Sequence, residues 1–204
     1  MSQTKLYIIA GPQSSGKTTV WQYLHDTHPS WNFIPEINQY VLKGKDHMGG
    51  AFVTADLEAE ITKQEIKHIA SLKRDGKTHV SETGIFHLVY LEHYCGKKAA
   101  VESLPQYMTS YKGFEPHVLF IDTKPQTSWE RRRLIYERRL DKAGIKNTKE
   151  RSMALTKYKT LMEELYPLWK KYYNIFPLKK IRISNSYANI ARFKKDVIKS
   201  FLSF

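Results

Sequence analysis

The chain has 204 residues, a length that fits one domain with some insertions. Its composition, 41% hydrophobic and 13% aromatic, excludes a disordered protein. The apolar runs are too short for a transmembrane helix of about 20 residues, and the N-terminus does not resemble a signal peptide. The single cysteine, Cys95, excludes an internal disulfide framework and a cysteine-cluster metal site. We therefore expect a cytoplasmic protein without a membrane segment.

Most of the positive charge lies in the second half of the chain. The formal net charge is +13; residues 1–100 carry 11 Lys and Arg against 10 Asp and Glu, whereas residues 101–204 carry 22 against 10. The positive electrostatic field of the second half favours polyanionic partners, either phosphate-rich small molecules or nucleic acid. Scattered lysines are equally typical of a solubilising surface, but five of the nine arginines fall between Arg131 and Arg139.

Short apolar runs alternate with helical patterns along the chain. In chain order, the predicted strands lie at 6–10, 31–34, 78–81, 117–121 and 180–183. The predicted helices lie at 17–28, 56–73, 84–94, 127–142, 150–173 and 188–201. Residues 96–115 show no clear period and are predicted to form a loop-rich insertion. Pro167 predicts a kink in the helix that contains it.

This alternation predicts a three-layer α/β fold, a five-stranded parallel sheet with helices on both faces, in one domain that spans residues 1–204. Ligands of such sheets bind at the carboxyl ends of the strands. The residues that follow the predicted strands are therefore site candidates: Gly11, Glu36, Glu82, Asp122 and Ser184.

Residues 11–18 (GPQSSGKT) match the phosphate-binding pattern G-x-x-x-x-G-K-[ST], with a strand directly before them and a helix directly after. Glycines let the backbone curl so that N–H groups face phosphates, and the helix N-terminus adds partial positive charge. In this pattern Lys17 reaches the β- and γ-phosphates, and the Thr18 hydroxyl binds Mg²⁺. The sequence therefore predicts that ATP and Mg²⁺ bind at Gly11, Gln13, Ser14, Ser15, Gly16, Lys17, Thr18 and Thr19.

A carboxylate is expected to support the metal ion, and two residues are candidates. Residues 118–122 are four apolar residues followed by an aspartate, a pattern that favours Asp122. In P-loop folds, however, the strand beside the first one supplies this carboxylate, and in a kinase-like order that is the third strand. This topology favours Glu82, at the metal or at the substrate. The alternative for Glu82 is a helix N-cap or first-turn acid.

Glu36 follows Pro35 at the exit of the second predicted strand. A carboxylate there can orient an acceptor hydroxyl in line with the γ-phosphate and take its proton. We therefore predict a catalytic role for Glu36. The alternative is an exposed loop glutamate.

The helix at 127–142 carries two columns of arginines, because Arg131 and Arg138, like Arg132 and Arg139, are seven residues apart. Guanidinium groups suit phosphate oxygens and neutralise charge on a transferring phosphoryl group. We predict this catalytic role for Arg131 and Arg138, and nucleotide binding for Arg132. The alternatives are Glu–Arg pairs within the helix or a helix that faces nucleic acid.

Together these residues resemble the P-loop nucleoside and nucleotide kinases. The loop and the following Phe33-Ile34-Pro35-Glu36 are similar to the nicotinamide-riboside-kinase-like branch, and 181–185 with the last helix are similar to thymidylate kinases. The resemblance implies that residues 129–148 form a lid over ATP and that Ser184, Asn185 and Ser186 lie near the adenine. Deoxynucleoside kinases have Glu-Arg where this chain has Glu82-Thr83, so the resemblance does not identify the acceptor.

The sequence thus predicts a kinase that moves the γ-phosphoryl group of ATP, with Mg²⁺, to a nucleoside- or nucleotide-like acceptor. Two alternatives remain open. One is a kinase of the same fold that acts on DNA or RNA, which the basic second half favours. The other is a nucleotide-gated ATPase or binding protein without a phosphoryl acceptor.

Overall fold

The computed structural model describes residues 4–42, 50–185 and 190–201. Five parallel strands form one sheet in the order β2-β3-β1-β4-β5. The strands are β1 (Thr4–Ala10), β2 (Asn32–Ile34), β3 (His79–Glu82), β4 (Phe114–Asp122) and β5 (Lys179–Ser184). The predicted α/β fold is confirmed.

The helices cover both faces of the sheet. In chain order they are α1 (Lys17–Thr27), α2 (Asn38–Val41), α3 (Ala55–Ser71), α4 (Leu88–Ser110), α5 (Pro125–Lys142), α6 (Thr148–Ile175) and α7 (Ile190–Phe201), with 3-10 helices at Gly50–Phe52 and Gly84–His87. In the described ranges, none of them is long and apolar enough to cross a membrane. Residues 188 and 189 of the last predicted helix lie outside the described residues.

Alternate side chains of β1 enter two separate apolar clusters. Leu6 and Ile8 pack in the larger one, which also contains residues of α3, α4, α5 and α6. Tyr7 and Ile9 pack in the smaller one, with residues of α1 and α7. Because successive side chains of a strand point to opposite faces, a strand covered on both sides is apolar throughout. This explains why β1 is the clearest apolar run of the sequence.

The central position of β1 determines which strand ends meet. Its neighbours are β3 and β4, with Ile9 opposite Glu82 and Ala10 opposite Phe120. In the pairing of β4 with β5, Asp122 lies opposite Ser184. The carboxyl ends of these strands therefore form one edge of the sheet, and the loop after β1 lies between Glu82 and Asp122.

The prediction of a loop-rich insertion at 96–115 is wrong. This stretch is the second half of α4 and the start of β4, and the helix continues across a kink at Gly96, whose φ is 88°. Ala100 and Tyr107 are buried, seven residues apart on one face. Gly96 and Pro105 both counted as helix breakers in the sequence, and they concealed this spacing.

Pro167 lies inside α6, which runs as one helix from Thr148 to Ile175. Residues 129–148, the predicted lid, belong to α5 and to its connection with α6. Closure of these residues over a ligand remains a prediction.

Two leucines of α5 test the packing of this helix. Leu140 is fully buried, whereas Leu134 is 64% exposed. We expect Leu140→Ala to lower the free energy of unfolding by about 2–5 kcal/mol, because it leaves a cavity in the core. Leu134→Ala should change it by less than about 0.5 kcal/mol. Urea unfolding followed by circular dichroism measures both, and equal losses would contradict the assigned orientation of α5.

Candidate functional site

Two glycines shape the loop between β1 and α1. Gly11 has a φ of 146°, and a Cβ at this position would lie 2.2 Å from the backbone oxygen of Ile121. Gly16 has a φ of 101°, and a Cβ there would lie 3.0 Å from Nδ2 of Asn185. Neither position accepts a side chain without displacement of its surroundings. Because α1 begins at Lys17, directly after the loop, its N-terminus adjoins the curled backbone.

Lys17 is held inside this loop. Its side chain is 8% exposed, and Nζ donates hydrogen bonds to the carbonyl oxygens of Gly11 (2.9 Å) and Pro12 (3.1 Å). Burial lowers the pKa of Lys17, while Glu36 and Glu82 oppose the shift. Lys17 is therefore a buried amine that interacts with two carboxylates and lies where the sequence pattern places the phosphates.

Glu82, the last residue of β3, is directly connected to the loop helix. The Thr18 hydroxyl donates a hydrogen bond of 2.8 Å to Glu82 Oε1, and Glu82 is 5% exposed. Burial and the neighbouring Glu36 raise the pKa of Glu82, while Lys17 and Thr18 oppose the shift. The alternative of a helix N-cap does not hold, because the residue at the cap of the following 3-10 helix is Thr83.

Asp122, the other metal-side candidate, has a different environment. Its carboxylate forms an ion pair with Arg182 on the neighbouring strand β5, and its backbone oxygen accepts a hydrogen bond of 2.9 Å from the Asn185 amide. It is absent from the described lining of the cavity next to the loop. Of the two carboxylates, only Glu82 lies beside Thr18.

That cavity has a volume of about 600 Å³, which suits one small-molecule ligand. Six of the eight predicted loop residues line it, whereas Gly11 and Ser15 are buried outside its lining. The lining residues of the loop are Gln13, Ser14, Gly16, Lys17, Thr18 and Thr19. The other ionised or histidine side chains of the described lining are Glu36, Glu58, Glu82, His87, Arg132 and Arg139.

Glu36 lines the cavity as predicted and is not a free loop glutamate. Its Oε1 accepts a hydrogen bond of 3.3 Å from the hydroxyl of Thr83. Thr83 is fully buried and has a φ of 74°, a conformation that is strained for a β-branched residue. Gly84 follows with a φ of 52°, and a Cβ there would lie 2.9 Å from Ile8. The strained turn after β3 thus brings Thr83 to Glu36.

The rotation of α5 determines which arginines face the cavity. Tyr136 is buried, stacks on Tyr158 with ring centroids 3.8 Å apart, and donates a hydrogen bond of 2.5 Å to Gln13 Oε1. Arg132 and Arg139, one helical turn away on either side of Tyr136, therefore line the cavity.

Arg131 and Arg138, the predicted catalytic pair, lie on another face of α5 from Arg132 and Arg139, and their catalytic role stays a prediction. Arg138 is exposed and absent from the described lining. Arg131 donates hydrogen bonds to the backbone oxygens of Ser14 (3.3 Å) and Asn185 (3.2 Å). It joins α5 to the backbone of the phosphate-binding loop, whereas the cavity face belongs to Arg132 and Arg139.

Asn185 is hydrogen-bonded to the backbone of the phosphate-binding loop. Its Nδ2 donates a hydrogen bond of 2.6 Å to the carbonyl oxygen of Ser15, and the residue is 7% exposed. Asn185 is absent from the described lining, so its predicted place beside the adenine is not supported by these contacts. Ser184 is exposed at the end of β5, and Ser186 lies outside the described residues.

Glu58, His87 and Tyr90 are among the residues of the cavity lining that sequence reasoning missed. Glu58 is 4% exposed and lies on the same face of α3 as the buried Ile61 and Glu65. Two glutamates seven residues apart on the apolar face of a helix are the signal that could have identified this cluster, because unpaired buried carboxylates are rare.

Comparisons with known proteins identify the family and the fold of the chain. The sequence model of the family described as an AAA domain matches residues 6–156. A search of curated proteins by sequence gave no match.

Solved structures of similar fold share 13% sequence identity with the chain. One is the YorR protein from Bacillus subtilis in complex with phosphorylated GDP, with a TM-score of 0.58, covering 97% of this chain and 96% of that one. Another is deoxyadenosine kinase from M. mycoides with bound dCTP, with a TM-score of 0.57, covering 98% of this chain and 100% of that one. The same enzyme with its products has a TM-score of 0.54, and the alignment covers 97% and 98%. The predicted resemblance to P-loop nucleoside kinases is confirmed for the fold.

The close approach of Gly11 to β4 can be tested against a second glycine. Gly144 also has a positive φ, 71°, but a Cβ there meets nothing within 4 Å among the described atoms. We expect Gly144→Ala to lower the free energy of unfolding by about 1–2 kcal/mol, the strain of a left-handed alanine. Gly11→Ala should lower it further, because the methyl group would displace the end of β4. Equal losses in urea unfolding would show that the loop is not packed as described.

Proposed function

We propose a function for this chain from the premise that it belongs to the AAA domain family and has the fold of the P-loop nucleoside kinases. The protein transfers the γ-phosphoryl group of ATP, with Mg²⁺, to a nucleoside- or nucleotide-like acceptor. One observation carries this proposal: the buried Lys17 and the hydrogen-bonded pair Thr18 and Glu82 line the same cavity as Glu36.

The loop holds the phosphoryl donor. Its curled backbone and the N-terminus of α1 direct N–H groups and partial positive charge at the phosphates, and Lys17 binds the β- and γ-phosphate oxygens. A bound phosphate would compete with the carbonyl oxygens of Gly11 and Pro12 for the Lys17 ammonium. Two proteins of similar fold, YorR with phosphorylated GDP and deoxyadenosine kinase with dCTP, bind nucleotides, which supports a nucleotide as the ligand of this chain.

The residues beside the loop fit Mg²⁺. Thr18 and Glu82 offer a hydroxyl and a carboxylate oxygen 2.8 Å apart, and Mg²⁺ binds through one or two such oxygens together with water and substrate phosphates. When bound, the ion neutralises charge on the β- and γ-phosphate oxygens. Asp122, occupied by Arg182, is not assigned to it.

Glu36 orients the acceptor. It interacts electrostatically with Lys17 and Glu82 and also with Glu58 and His87, which places it between the phosphate side and the rest of the cavity. Its carboxylate accepts a hydrogen bond from the acceptor hydroxyl and takes the proton late in a loose transition state. The bond from Thr83 keeps the carboxylate in place.

The arginines that neutralise the transferring group are Arg132 and Arg139. Both line the cavity, and Arg132 interacts electrostatically with Lys17 and Glu82. Arg131 acts on the loop through its bonds to Ser14 and Asn185. Transfer then depends on position and charge more than on covalent chemistry.

The decisive experiment follows label from γ-labelled ATP in the presence of a panel of nucleosides, nucleoside monophosphates and one oligonucleotide. We expect wild-type protein to label one of these acceptors and Lys17→Ala to label none while remaining folded.

The two carboxylates are tested in the same assay. Glu36→Gln keeps the shape of the side chain but removes its charge, so turnover should fall about 10²–10⁴-fold with little change in ATP affinity. Glu82→Gln should raise the Mg²⁺ concentration needed for half-maximal rate.

Three outcomes of this assay would contradict the proposal. Label released only to water would favour an ATPase without an acceptor. Label found only on an oligonucleotide would favour a polynucleotide kinase. Unchanged turnover of folded Lys17→Ala would remove the assignment of the phosphate-binding loop.

The two faces of α5 give a matched pair of variants. Arg132→Gln should weaken ATP binding about tenfold, since it removes a charged contact from the cavity. Arg138→Gln, in the exposed column, should leave it within twofold of wild type. Isothermal titration with a non-hydrolysable ATP analogue measures both. A larger loss for Arg138→Gln would restore the arginine pair first predicted from the sequence.

A further inference from the structure

A chain of buried ionisable groups lies behind the acceptor part of the cavity. His87 is between two glutamates of α3: Nδ1 is 3.6 Å from Glu58 Oε1, and Nε2 is 3.2 Å from Glu65 Oε2. The Tyr107 hydroxyl donates a hydrogen bond of 2.9 Å to Glu65 Oε2. Glu58, Glu65 and His87 are each less than 5% exposed, and Tyr107 is fully buried.

Stability alone is a poor reason for such a cluster. Removing ionised groups from water is costly, and well-packed apolar residues in their place are often as stable or more stable. Burial would lower the pKa of His87, but Glu65 and Glu58 on either side raise it to about 9. Burial raises the pKa of Glu65 to about 8. One ring nitrogen of His87 faces each glutamate, so the imidazole positions both side chains.

One end of this chain reaches the cavity. Glu58 lines it, whereas Glu65 and Tyr107 are absent from the described lining. Glu58 Oε1 is buried and faces His87 Nδ1 as an ion pair at 3.6 Å, with no hydrogen bond to any described residue. The two oxygens of a carboxylate together accept several hydrogen bonds, so a Glu58 carboxylate held by His87 retains acceptor capacity for a ligand in the cavity.

The groups around Glu58 define what such a ligand carries. Glu36 lies close enough to interact electrostatically with Glu58, and Asn38 and Tyr90 line the same cavity. On the phosphate side, Lys17 interacts with Glu36 and Glu82, and Arg132 interacts with Glu82. Arg139 lies beside Tyr136 and Tyr158, and His87 is engaged by its two glutamates. A phosphate beside Glu58 would therefore meet two carboxylates, whereas hydroxyl or amino groups would find acceptors.

We propose that Glu58, positioned by His87 and Glu65, recognises the phosphoryl acceptor, and that this acceptor is a nucleoside with free hydroxyl or amino donors and not a nucleoside monophosphate. This inference rests on the proposed function and narrows it: the phosphoryl group moves to a hydroxyl. Glu58 binds the acceptor, while His87 and Glu65 are positioning residues that hold the Glu58 carboxylate towards the cavity.

A matched pair of variants on α3 tests the role of Glu58. Glu60 is two residues further along the helix, bonds to Gln64 at 2.6 Å, and is absent from the described lining. Glu58→Gln should raise the KM for the nucleoside about tenfold to a hundredfold, the effect of losing one charged hydrogen bond. It should leave the KM for ATP within twofold. Glu60→Gln should change neither constant.

The positioning role is tested through acceptor binding measured without turnover. With a non-hydrolysable ATP analogue present, isothermal titration of the nucleoside should show weaker binding to His87→Gln and unchanged affinity for the analogue. His87→Gln alone leaves two buried glutamates facing each other and can fail to fold. The double variant Glu65→Gln/His87→Gln removes both charges, and it should fold and show the same loss.

The outcomes separate this inference from the proposed function. If wild-type protein labels a nucleoside but Glu58→Gln binds it as well as Glu60→Gln does, the inference is overturned and the proposed function stands. If nucleosides bind, and Glu58→Gln abolishes that binding, but no label is transferred, the proposed function is overturned, and the recognition of a nucleoside by Glu58 is the part of the inference that stands. Tighter binding or faster labelling of a nucleoside monophosphate than of the nucleoside would overturn the inference.

Discussion

The hydrogen bond between Thr18 and Glu82 depends on one choice of topology: β3 pairs with β1, and β2 lies outside it. This order places the exit of β3 directly beside the loop that follows β1. Because parallel strands end at the same edge of a sheet, a glutamate 64 residues away along the chain meets a helix that starts at the loop. The rest of the site extends from this pair.

The end of β3 and the short segment after it contain or contact three carboxylates. Glu82 bonds to Thr18, Thr83 bonds to Glu36, and His87 pairs with Glu58. The positive φ of Thr83 costs about 1–3 kcal/mol by general estimates, and strain of this kind persists where surrounding contacts over-determine the conformation. Here those contacts include the hydrogen bond that the Thr83 backbone N–H donates to the carbonyl oxygen of Ile9, and the close approach of Gly84 to Ile8. The strained turn therefore connects the phosphate side of the cavity to the acceptor side.

The parts of this account that are local in sequence were predictable. The phosphate-binding loop is a contiguous pattern between a strand and a helix, and the apolar strands follow from burial on both faces. The position of Glu82 was predictable because, in P-loop folds with a kinase-like strand order, the third strand lies beside the first. The second half of α4 was not, because Gly96 and Pro105 both suggest an end of helix. Gly96 does leave helical geometry, but the helix resumes after it and includes Pro105.

The directions of side chains, and the contacts between residues far apart in the chain, could not be predicted from the sequence. Nothing in the sequence distinguishes the two arginine columns of α5. In the structure, Tyr136 stacks on Tyr158 and bonds to Gln13, which fixes the rotation of the helix. This rotation places Arg132 and Arg139 at the cavity. Glu58 and His87 belong to different elements, and their meeting requires the packing of α3 on the segment after β3. Such contacts depend on tertiary structure and leave no contiguous motif.

The central claim is that one cavity holds the phosphates at Lys17 and a nucleoside acceptor at Glu36 and Glu58. A crystal structure with a bisubstrate analogue, adenosine joined to a nucleoside through a polyphosphate, tests it most directly. The account predicts the phosphate chain along the loop of residues 11–18, in contact with Lys17, and nucleoside hydroxyl or amino groups within hydrogen-bond distance of Glu36 and Glu58. A complex with the acceptor nucleoside outside this cavity, or with phosphate groups against Glu58, would contradict it.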